Sequence, residues 1–438
     1  MNSQVTTAQT LHQNLLSLLV YREILSDRVG QAFLELLQSL NRADSFAALQ
    51  AYGTWFAALA ECNQGWQEYV LDRLLTAENA FSRHVQKADN LPSALIKAVK
   101  RDLQILQRLY SCQSQQICEW VSQQTSSENL TAWSDKLSQE MTVSDSETIA
   151  ARLKTKLGAM PDWAEALDEL SAYYREFGTG IFAEYRAFRW QNGQLSAIAH
   201  PDSLRSSDLI GYETQRKMLL KNTAFLLAGH AALHVLLYGS RGSGKSSLVK
   251  SLLREYNDRQ LRLIEVGKSE LKDLPAIVEP LRNLPQKFII FVDDLSFEED
   301  DDAYKALKVV LEGNLTARPQ NVVVYATSNR RHLVREFFDD RPRPKDADEV
   351  HHWDTVQEKL SFSDRFGLTL TFEPADQTTY LKMIDHLAQQ AKITLEPQDL
   401  EYRALQWATR HNGRSGRTAR QFIDFLQADL ALFEPSNQ

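Results

Sequence analysis

Val235-Leu236-Leu237-Tyr238-Gly239-Ser240-Arg241-Gly242-Ser243-Gly244-Lys245-Ser246-Ser247 is the stretch that decides the fold of this 438-residue chain. Residues 239–246 satisfy the pattern G-x-x-x-x-G-K-[ST] at every fixed position. The apolar run before them predicts a strand. Leu248-Val249-Lys250-Ser251-Leu252-Leu253 after them has helical spacing, which completes the strand, glycine-rich loop and helix that the pattern requires. Glycines let successive N–H groups turn inward as an anion nest, and the helix N-terminus adds about half a positive charge. The segment from Gly239 to Ser247 is therefore expected to cradle a triphosphate. Lys245 reaches its outer phosphates, and the Ser246 hydroxyl ligates Mg²⁺.

The composition is that of a globular protein, with 43% hydrophobic and 24% charged residues, and the length suits two or three domains. A net charge of −8 weighs against nonspecific nucleic-acid binding by the whole surface. Cys62, Cys112 and Cys118 lack metal-ligand spacing and are expected as buried thiols in a reducing compartment. Met1-Asn2-Ser3-Gln4 lacks the basic stretch of a signal peptide, and no apolar run approaches the roughly 18–20 residues of a membrane span. The expected compartment is the cytoplasm.

Outward from the loop the pattern changes twice. Residues 1–180 are helical in period: Val29, Phe33, Leu36, Leu37 and Leu40 keep one face, as do Ile96, Val99, Leu103, Leu106 and Tyr110. Breaks fall near Asn41–Ser45, Asn90–Ser93, Gln123–Asn129 and Met160–Asp162. Residues 181–207 are expected to hold a β-hairpin about Asn192-Gly193, followed by a linker. Residues 208–375 alternate apolar strands (His234–Gly239, Leu261–Val266, Phe288–Asp293, Val322–Thr327, Leu368–Phe372) with helical stretches, the signature of a mostly parallel doubly wound sheet. Residues 376–438 return to helix as a small subdomain.

Phe288-Ile289-Ile290-Phe291-Val292-Asp293-Asp294 ends a buried strand in two carboxylates, and the C-terminal mouth of such a sheet is where ligands bind. Asp293 is expected to hold Mg²⁺ opposite Ser246, and Asp294 to polarise the attacking water. Asn329 closes a second buried strand, expected between the other two. It either contacts the terminal phosphate and attacking water or merely terminates its strand. Arg365, in Ser363-Asp364-Arg365-Phe366-Gly367, and Arg417, in Gly413-Arg414-Ser415-Gly416-Arg417-Thr418, are each suited to phosphate oxygens or to a surface ion pair. His351-His352 with Asp354 has no third ligand at suitable spacing, so no metal site is expected there.

These motifs resemble those of the AAA+ ATPases over residues 208–433, and several segments are similar to a bacterial family of predicted AAA+ ATPases with no assigned function. The resemblance implies an α/β P-loop domain with a C-terminal helical lid, preceded by a helical N-terminal domain. It implies ATP and Mg²⁺ as ligands, with the adenine packed on the segment containing Ile210 and Gly211. It also implies Asn329 as sensor 1, Arg365 as an arginine finger acting in a neighbouring subunit, and Arg417, or Arg420 one turn on, as sensor 2. A homo-oligomeric ring, for instance a hexamer, follows from the same resemblance. The chain departs from most of the superfamily in carrying Asp294 where Glu is usual. The shorter carboxylate points to slow, switch-like hydrolysis, with Glu298 placed to assist.

The expected activity is ATP hydrolysis that drives or switches the remodelling of a protein partner docked on the N-terminal helices. Two alternatives are a nucleic-acid loader resembling replication initiators, using basic clusters at Arg330-Arg331-His332 and Arg341-Pro342-Arg343-Pro344-Lys345, and a nucleotide-gated scaffold with little hydrolysis.

Overall fold

The computed structural model describes residues 2–88, 90–127, 129–133, 149–202, 205–256, 260–297, 302–312, 318–329, 362–411 and 413–433, with backbone alone at 2–7, 302–303, 362 and 433. Glu298, both basic clusters and His351, His352 and Asp354 lie outside these residues. The chain divides into two compact units, Met1–Glu184 and Tyr185–Gln438.

The described residues of the first unit form helices, as the 3.6-residue period predicts. Val29, Phe33, Leu36, Leu37 and Leu40 are buried on one face of the helix Arg28–Asn41, which packs on Ser45–Cys62. Both helices start where an aspartate caps them: Asp27 accepts from the Gly30 N–H and Asp44 from the Ala47 N–H. Phe33, Trp55 and Trp66 meet at the centre, with ring centroids 4.5 Å apart for Phe33–Trp66 and 5.5 Å for Trp55–Trp66. Asp102 is fully buried on the helix Ser93–Ser111, where its carboxylate accepts from the backbone N–H groups of Leu19 (2.9 Å), Val20 (2.7 Å) and Tyr21 (3.1 Å). That charge-assisted cradle fixes the turn after the first helix.

The second unit is built on a seven-stranded sheet in the order β2-β1-β4-β5-β6-β3-β7. The strands are β1 (Ala187–Gln191), β2 (Gln194–Ile198), β3 (Val235–Gly239), β4 (Leu261–Val266), β5 (Lys287–Val292), β6 (Val322–Ser328) and β7 (Leu368–Phe372). All neighbours are parallel except the β1–β2 hairpin. Its turn residues Asn192 and Gly193 both have positive φ (53° and 74°), the geometry that matches the twist of the flanking strands. The hairpin also extends the sheet, because β1 pairs in parallel with β4.

β4, β5 and β6 are buried almost throughout, as expected of strands covered on both faces. β6, which ends just before Asn329, lies between the loop strand β3 and the carboxylate strand β5, the order expected from the sequence. Three helices, Gln377–Gln390, Pro397–Arg410 and Gly416–Phe433, follow β7 and pack on one another. The unit is an α/β domain with a mostly parallel sheet followed by a C-terminal helical lid, and the described residues before it are mainly helical.

Candidate nucleotide site

β3 delivers the chain to Gly239, where a side chain has no room. A Cβ there would sit 2.0 Å from the Phe372 carbonyl oxygen, which accepts the Ser240 N–H at 2.8 Å. The φ of +132° is likewise open only to glycine at low cost. The loop then turns through Gly242 and reaches Gly244, whose φ of +89° starts the helix Lys245–Glu255. The first N–H groups of that helix lack partners within it, and its residues Lys245, Ser246 and Ser247 line a cavity of about 600 Å³.

Arg241, Gly242, Ser243, Gly244, Lys245, Ser246 and Ser247 line this cavity together with Ile210, Asp293, Asp294, Asn329 and Arg417. Gly239 and Ser240 lie behind the loop and turn their carbonyls to the Lys245 ammonium, at 3.0 and 2.7 Å. Gly211 lies against Thr379 of the first lid helix. Arg365, like Gly211, Gly239 and Ser240, does not line the cavity; it pairs with Glu312 and donates to the Tyr304 hydroxyl at 3.5 Å.

A chain of hydrogen bonds joins the charged groups. Ser246 Oγ donates to Asp293 Oδ1 at 2.6 Å. Asn329 Nδ2 donates to Asp294 Oδ1 at 2.7 Å, and Asn329 Oδ1 accepts from Lys245 Nζ at 3.4 Å. Asn329, which directly follows β6, stands between the loop lysine and the second carboxylate. Burial pulls the Lys245 ammonium below the ordinary lysine range; the carboxylates of Asp293 and Asp294 oppose that shift, and Arg417 adds to it. An anion entering the cavity would favour the charged lysine in the same way as those carboxylates.

Ser246 and Asp293 present hard oxygen atoms side by side, the donor type that Mg²⁺ takes. The lid contributes Arg417, whose N–H donates to the Gly242 carbonyl at 3.1 Å, and Arg420 one turn later; both line the cavity. Opposite polarity marks another wall, where Leu209 and Ile210 meet Met383 and Leu387. Met383 and Leu387 escaped the sequence analysis although they stand four apart on one face of the lid helix Gln377–Gln390, a spacing that marks a shared stripe. Asp208 and Arg205 also line the cavity and carried no motif. Thr327, an ordinary strand residue in the sequence, bridges the Asp293 carboxylate and the Asp294 backbone N–H with its hydroxyl.

A family model described as "Protein of unknown function (DUF815)" matches residues 183–430. No curated protein matches the chain. Among solved structures, a point mutant of Thermotoga maritima RuvB is similar at 17% identity and a TM-score of 0.38, over 52% of this chain and 66% of that one. The RuvB Holliday junction branch migration motor of the same organism gives 16% identity, 53% and 67% coverage and a TM-score of 0.36. The FIGL-1 AAA domain in complex with ADP gives 18%, 53% and 75%, and a TM-score of 0.34. This chain thus spans just under two thirds of the first RuvB structure, and about half of it takes part in each likeness. Among the described residues no helix is long and apolar enough to cross a membrane.

Proposed function

Because this chain belongs to the DUF815 family, whose model spans most of its second unit, no activity comes with the family, and we propose one from the site: Mg²⁺-dependent ATP hydrolysis by an AAA+ machine. The observation that carries the proposal is the linked set Ser246–Asp293 and Lys245–Asn329–Asp294 at the mouth of a glycine loop. A loop amide nest, an ammonium and two hard oxygens side by side suit a triphosphate with its cation and few other ligands.

In this account the loop from Gly239 to Ser247 grips the phosphates, and Lys245 exchanges its carbonyl partners for phosphate oxygens. Ser246 and Asp293 hold Mg²⁺, which when bound shares the charge of the triphosphate. Asp294, aimed by Asn329, orients and polarises a water. The apolar wall of Leu209, Ile210, Met383 and Leu387 receives the base, so nucleotide joins the sheet to the lid. Arg417 reports that closure, with Arg420 beside it. Phosphoryl transfer needs little beyond such positioning and charge neutralisation. The shorter Asp294 carboxylate suits slow turnover.

The lid coupling suits a conformational machine acting on a protein partner through the N-terminal helices, assembled as a homo-oligomeric ring in which Arg365 completes the neighbouring site. Titration with labelled ATP and Mg²⁺ tests the premise. Lys245→Ala should lose at least about 100-fold in affinity, as expected when a buried charge partner of the phosphates is removed. Equal affinity in the two proteins would remove the basis of the proposal.

A further inference from the structure

Asp294 has a φ of +51°, a left-handed backbone that a non-glycine residue adopts only when its surroundings hold it there. What holds it is visible. Its N–H donates to Thr327 Oγ1 at 3.0 Å, and the same oxygen lies 2.5 Å from Asp293 Oδ1. The direction of the second bond is unambiguous. The Asp294 N–H can only donate, so the hydroxyl accepts there and sends its single proton to the Asp293 carboxylate. Thr327 is 2% exposed, so water does not compete for either bond.

We propose that Thr327 is the positioning residue of the site: one hydroxyl fixes the metal-side carboxylate of Asp293 and, through the backbone, the strained peptide that aims the Asp294 carboxylate. Asp293 Oδ1 accepts from Ser246 and Thr327 together, which leaves the carboxylate one rotamer. Asp294 is held at its backbone by Thr327 of β6 and at its carboxylate by Asn329, which directly follows that strand. The C-terminal end of β6 thereby sets both carboxylates that follow β5. Thr327 itself does not reach the reacting atoms; it acts through the two aspartates.

The proposal rests on the nucleotide reading above for its consequence in turnover, but its structural half can be measured without nucleotide. Thr327→Val keeps the shape and removes the hydroxyl; Thr327→Ser keeps the hydroxyl. The neighbouring Leu295 N–H donates to the Thr327 carbonyl at 2.7 Å, which neither substitution touches, so it serves as an internal control. Amide exchange in the nucleotide-free protein should speed about tenfold at Asp294 in Thr327→Val, with Leu295 unchanged and Thr327→Ser like wild type. With ATP and Mg²⁺, Thr327→Val should lower kcat at least about tenfold while the ATP Kd stays within about threefold, and Thr327→Ser should restore kcat.

Unchanged exchange at Asp294 in Thr327→Val, or loss of kcat in Thr327→Ser equal to that in Thr327→Val, overturns the proposal. Wild-type protein that binds no ATP overturns the nucleotide reading instead, and the exchange result still decides whether Thr327 holds Asp294.

Discussion

In the proposed reaction the contact between Asp294 and Asn329 is the one on which turnover would depend, since the Asn329 amide donates to the carboxylate at 2.7 Å. Asp294→Asn should keep ATP affinity within about threefold and lower phosphate release by at least about 100-fold, the scale on which a positioned base acts. Filter-bound ATP and released phosphate, measured on the same samples, separate the two effects. Full turnover in that variant would move the water-polarising role to another carboxylate, with Glu298 next in line. The same residue explains why sequence spacing named the carboxylates but not their support. A pair Asp293-Asp294 after an apolar strand is visible in one dimension, whereas Thr327 becomes adjacent only when β6 pairs with β5.

At the scale of elements, β3 and β6 are joined by more than their ladder. His234, just before β3, accepts the Val324 N–H at its Nδ1, 2.9 Å away, so the ring must be neutral at that nitrogen. Burial, helped by the nearby Arg318 cation, pushes the His234 pKa down to about 3. The unfolded chain takes up that proton near pH 6.5, and the folded chain does not until about pH 3. The stabilisation is therefore complete above about pH 6.5 and is lost as the pH falls toward 3. Urea unfolding of the protein should show a slope from this group that approaches about 1.4 kcal/mol per pH unit between about pH 5.5 and 4.5. His234→Asn, whose side-chain oxygen can still accept the Val324 N–H, should flatten the slope by about that amount. An unaltered slope would place the acid sensitivity elsewhere.

For the whole molecule, Arg365 is the informative residue. It is 18% exposed at its side chain, held by Glu312 and Tyr304 on the helix Asp302–Glu312, and does not line the cavity of its own chain. In the proposed ring it would instead serve a neighbouring site. Arg365→Ala should leave ATP affinity unchanged and reduce turnover by about 10³-fold or more. Mixing that variant with Lys245→Ala should restore part of the activity, because one subunit then offers an intact site and the other an intact arginine. No recovery on mixing, or normal turnover of Arg365→Ala alone, would refute action in trans.

The strand-loop-helix around Lys245, the five expected strands, the helical first unit and the turn at Asn192-Gly193 were determined by the sequence itself. Each is written in local periods, in glycine positions and in a fixed loop spacing, which neighbours along the chain suffice to express. Tertiary structure alone decided that the hairpin joins the sheet through β4, that Met383 and Leu387 line one cavity with Ile210, and that a threonine of β6 braces both aspartates that follow β5. Those contacts join residues far apart in the chain, and their partners are ordinary side chains until folding sets them a few ångströms from one another.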